Sequence, residues 1–154
     1  MTNPYLISRE RFIAAAPADI FEVLATPALH SVIDGSGTVK GVQARGPERL
    51  SLGARFGMEM SMKLDYKVLN TVCEFEEQRR IGWRHFNGHV WRYLLEPATG
   101  PDGSPGTRVT EQFDARKVRT RLLLRLAGFL KRHPLSIEKT LERLDHHLTG
   151  PLAA

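Results

Sequence analysis

The sharpest alternation in the chain runs from Arg55 to Leu64. Phe56, Met58, Met60, Met62 and Leu64 fall on one face, and Arg55, Glu59, Ser61 and Lys63 on the other. A period of two is that of a half-buried strand. Runs rich in aromatic and β-branched residues predict further strands over 5–14, Thr38–Ala44, Lys67–Phe75, Ile81–Phe86, His89–Leu95 and Arg108–Lys117. Asn87-Gly88 is a two-residue hairpin signal. Glu77–Arg80 is a polar turn, and 97–107, rich in Gly and Pro, reads as a long exposed loop.

Helical spacing replaces alternation in two places. Pro17 suits a first helical turn, Ile20, Phe21 and Leu24 give that helix an apolar face, and Pro27 ends it. A second short helix then turns Leu29, Val32 and Ile33 inward before the turn at Asp34–Gly37. From Arg119 to Gly150 the apolar positions recur every three or four residues, the repeat of one helix face. Proline disfavours helix at the residue before it, so a break is predicted at His133-Pro134. Beyond it, Ser136–Thr149 carries the narrow stripe Ile137, Leu141, Leu144 and Leu148 and is stopped by Gly150-Pro151. Before it, Arg119 to Arg132 has a broad apolar arc (Leu122, Leu123, Leu126, Ala127, Phe129, Leu130) with Arg121, Arg125, Lys131 and Arg132 mostly opposite. That arc is expected to pack on the sheet or cover a cavity mouth, hinged at His133-Pro134. The alternative is an amphipathic helix lying on an anionic membrane surface.

About seven antiparallel strands followed by a long helix predict one α+β domain over 1–154, the sheet holding the C-terminal helix and enclosing a cavity. With 42% hydrophobic and 25% charged residues the composition is that of an ordinary globular domain. A lone cysteine, Cys73, precludes an internal disulfide and, with no leader-like N-terminus, leads to the expectation of a cytoplasmic protein. The net charge of +5 reads as a mildly basic solvated surface. No zinc finger or RNA-binding aromatic motif accompanies it, so no nucleic-acid partner is expected.

Specific chemistry is sparse. Six histidines do not form a His-Glu-x-x-His pair, and the adjacent His146 and His147 point in different directions on a helix, so no metal is expected. No Gly-rich strand-to-helix turn is present, so no cofactor is expected. Cys73 has no local base and reads as a core residue. General acid–base groups remain: His30 close to Asp34, His85 and Tyr93 on the faces of Trp83 and Trp91, and Glu111 on the parity of Val109 and Phe113.

Certain features occur in a telling order: Ile7 to Ile13, Ala16-Pro17 with Ile20-Phe21, Leu24 with Pro27 and His30, and Gly53 with Phe56. Then come Trp83, Trp91 with Tyr93, Gly106-Thr107 with Glu111, and the final helix. Over nearly its whole length the chain resembles the helix-grip START/SRPBCC superfamily, on its polyketide cyclase/dehydrase-like, lipid-transport branch. The resemblance implies a seven-stranded antiparallel sheet wrapped around a long C-terminal helix, with two short helices after strand 1. It also implies a hydrophobic or amphipathic ligand (lipid, fatty acyl or polyketide-like) between sheet and helix. Phe56, Met58, Met60, Met62, Trp83, Trp91, Tyr93 and Phe113 are then expected on the sheet side. Leu126, Phe129, Leu130, Ile137 and Leu141 would line the helix side, and His30, His85 and Glu111 would make the orienting polar contacts. A second reading is a cofactor-independent cyclase or dehydratase with His30 or His85 as base and Tyr93 or Glu111 as partner. A third is a basic module docking on anionic membrane or a protein partner through Arg119 to Arg132. The Arg-Leu-rich segment there departs from the simpler family pattern.

Overall fold

The computed structural model describes residues 3–36, 39–42, 46–61, 65–85, 88–126 and 128–150, without the side chains of 39–42, 58–61, 65–68, 124, 129 and 132. The order is β1 (Leu6–Ile13), α1 (Pro17–Ala25), a 3-10 turn (Pro27–Leu29), α2 (His30–Ile33), β2 (Val39–Val42), β3 (Arg55–Ser61) and β4 (Asp65–Glu76). It continues through β5 (Arg80–His85), β6 (Val90–Thr99), β7 (Pro105–Asp114), α3 (Arg121–Leu126) and α4 (Phe129–Thr149).

The strands form an open antiparallel sheet in the order β1-β7-β6-β5-β4-β3-β2, six longer strands with the four-residue β2 at one edge. β1 therefore closes the meander against the last strand, with Ile7 opposite Phe113 and Ile13 opposite Thr107. The same face of β1 carries Arg9 and Arg11. They reach α4 as ion pairs, Arg9 to Glu138 at 3.1 Å and Arg11 to Asp145 at 2.7 Å. Beside those clasps Ile137, Leu141 and Leu144 are buried. Each such side chain contributes about 1.5–3 kcal/mol by leaving water, so the apolar stripe, rather than the half-exposed ion pairs, seats the helix.

α2 meets α4 at Gly35. A Cβ there would lie 2.4 Å from the Thr140 nitrogen, so only a residue with no side chain lets the chain cross the helix this closely. The Gly35 N–H donates to Thr140 Oγ1 at 2.9 Å, and Arg143 donates to the Asp34 carbonyl oxygen. Ile33 is buried but Val32 is 44% exposed, against the expectation that both turn inward: α2 is a single turn and cannot present three consecutive faces to one core.

The tail departs from expectation. The break falls at Gly128, not at His133-Pro134, and α4 runs unbroken through Pro134. Gly128 takes φ +75° and its N–H donates to the Arg125 carbonyl, a left-handed glycine stop for α3. Pro134 lies in the second turn of α4, where one missing donor is tolerated because the helix is seated by the stripe that follows. The expected loop at 97–107 is also shorter. The β6–β7 ladder continues to Thr99 opposite Pro105, leaving a tight turn closed by Gly100 N–H to the Ser104 carbonyl at 2.8 Å. The Asn87 half of the predicted hairpin signal lies outside the described residues. Among the described residues no helix is long and apolar enough to cross a membrane.

Candidate functional site

Strand parity delivers three successive rows of side chains to the face beneath the helices. Pairing sets Ile81 opposite Tyr93 and Tyr93 opposite Glu111 in one row, then Trp83, Trp91 and Phe113 in the next. His85 and His89 follow, joined by His85 N–H to the His89 carbonyl at 2.9 Å. The aromatic row thus separates two polar groups.

In the first group the Tyr93 hydroxyl donates to Glu111 Oε1 at 3.0 Å. Glu111 is 3% exposed, and its Oε2 is buried with no hydrogen-bond partner. Burial pushes the Glu111 carboxyl well above the usual carboxylate range, the Tyr93 hydrogen bond opposes this, and the charge of Asp34 adds to it. Burial and then the Glu111 charge push the Tyr93 hydroxyl up as well. Burial therefore favours the protonated form of Glu111. Oε1 accepts from Tyr93, which leaves Oε2 as a buried polar atom with no partner. Such an atom is rare in a folded interior, where nearly all buried polar groups are satisfied.

His30 closes this region from α2. Its ring stacks on Trp83 at 5.0 Å and meets Phe56 edge-on at 5.6 Å. Nε2 lies 2.8 Å from the Leu24 carbonyl oxygen, which only accepts, so Nε2 carries the hydrogen. Burial lowers the His30 pKa to about 4, the Leu24 and Asp34 interactions opposing it. His30 is a neutral wall of the site.

The second group gathers three histidines, of which only His85 was expected as a site residue. His89 stacks on His85 at 4.4 Å and lies 4.8 Å from Phe113, which also contacts Trp91 at 4.8 Å and His133 of α4 at 4.2 Å. Trp91 meets His133 edge-on at 5.3 Å. Burial lowers His89 to about 3, with the His85 and His133 charges adding to it, and lowers His133 to about 4. His89 Nδ1 is a second buried atom without a hydrogen-bond partner. His89 shares the parity of Trp91 in the sequence, whereas His133 arrives from a different element and has no local signal. Among the described residues no group of His, Cys, Asp and Glu is arranged to hold a metal ion.

The expected lining is brought together in part. Phe56, Trp83, Tyr93, Phe113, Ile137 and Leu141 are buried in one cluster, with Trp91 and Leu130 partly buried against it. Leu126 is not: it is 74% exposed, on an α3 whose Leu122 and Leu123 also face solvent. His85 does not meet Tyr93 or Glu111, since it stands in another row. Met58, Met60 and Phe129 have side chains outside those described, and Met62 lies outside the described residues. An open cleft of about 720 Å³ lies elsewhere, lined by Arg11, Gly35, Lys139, Arg143 and His146 among others. It is solvent-facing, and holds none of the expected site residues.

No protein-family model matches the chain. The chain is 35% identical over 155 positions to the uncharacterized protein Rv0088 of Mycobacterium tuberculosis, covering 96% of this chain and 66% of that protein. It thus spans just under two thirds of the curated relatives it matches. Among solved structures, protein Ms6760 from Mycobacterium smegmatis superposes with a TM-score of 0.68 at 16% identity, covering 95% of this chain and 92% of that one. The AHSA1-like protein from Aeromonas hydrophila gives 0.62 at 18% identity, over 97% and 99% of the two chains. The Aha1 dimer from Colwellia psychrerythraea gives 0.65 at 14% identity, over 96% and 98%.

Proposed function

We propose, for a chain that has the helix-grip fold of the START/SRPBCC superfamily, that it binds a hydrophobic or amphipathic small molecule between the sheet and α4. The observation that carries this reading is the buried, unpartnered Oε2 of Glu111. Leaving a buried polar atom unpaired costs about 1–3 kcal/mol, a cost that a ligand polar group in the same place removes. Burial favours the protonated form of Glu111, which can donate there to a carbonyl, hydroxyl or ether oxygen on an otherwise apolar body such as a lipid, acyl chain or polyketide-like ring system. Trp83, Tyr93, Phe113 and Ile137 supply apolar walls. Trp91, His85, His133 and Leu130, all only partly buried, form the rim.

Native mass spectrometry of protein purified from cells is expected to show a co-purifying apolar molecule, lost on organic extraction. Bare protein alone, together with no stabilisation of extracted protein by the extract, would overturn the reading. A cofactor-independent cyclase or dehydratase is the second reading. The Tyr93–Glu111 pair offers it an acid, but His30 has Nε2 committed to Leu24 and His85 stands in the other group, so binding without chemistry is favoured.

A further inference from the structure

Part of the arc expected to fold down over the site faces water instead, while Leu130 packs against the core. Leu122, Leu123 and Leu126 of α3 are 57%, 64% and 74% exposed, and Leu135 on the adjoining turn of α4 is 58% exposed. The segment is nonetheless anchored. Val118 is buried against the β5–β6 turn, 3.9 Å from the Cβ position of Gly88, and Arg121 lies over the Tyr5 ring at 5.1 Å. α3 is thus held at the end of the sheet where the rim of Trp91, His85 and His133 lies, with Leu122, Leu123 and Leu126 turned outward.

Charge identifies what such a surface fits. From Ala115 to Ile137 the sequence holds seven Lys and Arg and no Asp or Glu, more positive charge than the +5 net of the whole chain. Arg119, Arg125 and Lys131 are exposed around the leucines. A protein partner rich in apolar surface would match the leucines alone. A surface with an apolar layer beneath a dense negative one matches both features. We propose that α3 seats this end of the molecule on an anionic lipid bilayer, leucines at the headgroup–acyl boundary and Arg119, Arg125 and Lys131 among the lipid phosphates. The proposal stands on α3 alone, whether or not the interior holds a ligand.

Co-sedimentation of the full chain with phosphatidylcholine vesicles, with and without phosphatidylglycerol, tests it. Binding is expected only to the anionic vesicles and is expected to fall as salt rises. Leu122→Ser/Leu123→Ser/Leu126→Ser, all at exposed positions, is expected to abolish it. Arg119→Glu/Arg125→Glu is expected to weaken it by more than about tenfold, at roughly fivefold per charge removed. Arg55→Glu/Arg84→Glu, the same change of charge on exposed strand residues, is expected to retain most of it. Equal binding to neutral vesicles, no binding to either, or equal loss in the strand variant would overturn the proposal. So would a leucine-dependent dimer in size-exclusion chromatography that binds no vesicle.

Discussion

Tyr93 and Glu111 face each other across the β6–β7 ladder, the phenol donating at 3.0 Å to one carboxyl oxygen while the other is buried without a partner. The pair makes Glu111 a burden on the fold above its ordinary titration range. Its folded pKa is raised, so its share of stability is full below about 4.5 and is lost as pH rises toward the folded value. Glu111→Gln keeps an acceptor for Tyr93 and removes the titration. It is expected to raise the melting temperature more at pH 8 than at pH 5, as read by differential scanning calorimetry on extracted protein. Glu111→Ala is expected to cost about 2–3 kcal/mol, through a cavity and an orphaned Tyr93 hydroxyl.

The histidines act in the opposite direction. His30, His89 and His133 have folded pKa values lowered to about 4, 3 and 4, from 6.5. The unfolded chain therefore binds more protons between these values, and stability present above pH 6.5 is lost as pH falls toward 4. His89→Phe removes a buried atom without a partner and one of the three titrations. It is expected to flatten the acid limb of a pH–melting curve while leaving the neutral-pH value unchanged or higher. An unchanged acid slope would refute the assignment.

Gly106 lies where β7 passes β1. A Cβ there would lie 2.4 Å from the Ile13 carbonyl oxygen and 2.5 Å from the Phe12 ring. Gly106→Ala is expected to cost about 2–3 kcal/mol by forcing the strands apart. Urea unfolding is expected to show a lower midpoint with an unchanged slope.

On the outer face Arg92 holds Glu74 at 2.7 Å and Asp114 at 3.2 Å, the three side chains 15%, 20% and 11% exposed. Arg92→Met leaves Glu74 with Arg80 and Asp114 with Arg116 as their remaining partners, and is expected to cost about 2–3 kcal/mol through the lost charge-assisted hydrogen bonds. Arg9→Met, breaking a pair whose members are 44% and 56% exposed, is expected to cost less than about 1 kcal/mol. Chemical denaturation of both variants side by side gives the comparison.

Much of the frame was legible from local pattern. The parity of Phe56, Trp83, Tyr93 and Phe113 follows from alternation alone, and Pro17 and Pro27 bracket α1 and begin the 3-10 turn. What local pattern does not carry is register between strands far apart in the chain. The Tyr93–Glu111 contact depends on where the 100–104 turn falls, and the predicted loop there hid the pairing. His133 joins His89 only through the docking of α4. Pro134 is the louder break signal in the sequence, whereas the helix stops at Gly128, where a glycine adopts φ +75° without a side-chain penalty.

The union of β1 with β7 and α4 sets an order of assembly. Among the described residues the first strand pairs in the sheet with residues 107–114, and its ion pairs reach Glu138 and Asp145 of α4. During synthesis β1 thus waits for nearly the whole chain to emerge, its apolar Ile7 and Ile13 exposed until then. Hairpins β3 to β6 can pair as they appear, whereas β1 can pair only once β7 has emerged and gains its ion pairs only once α4 has followed. Losing a few residues from either end of the folded region would undo the same seam.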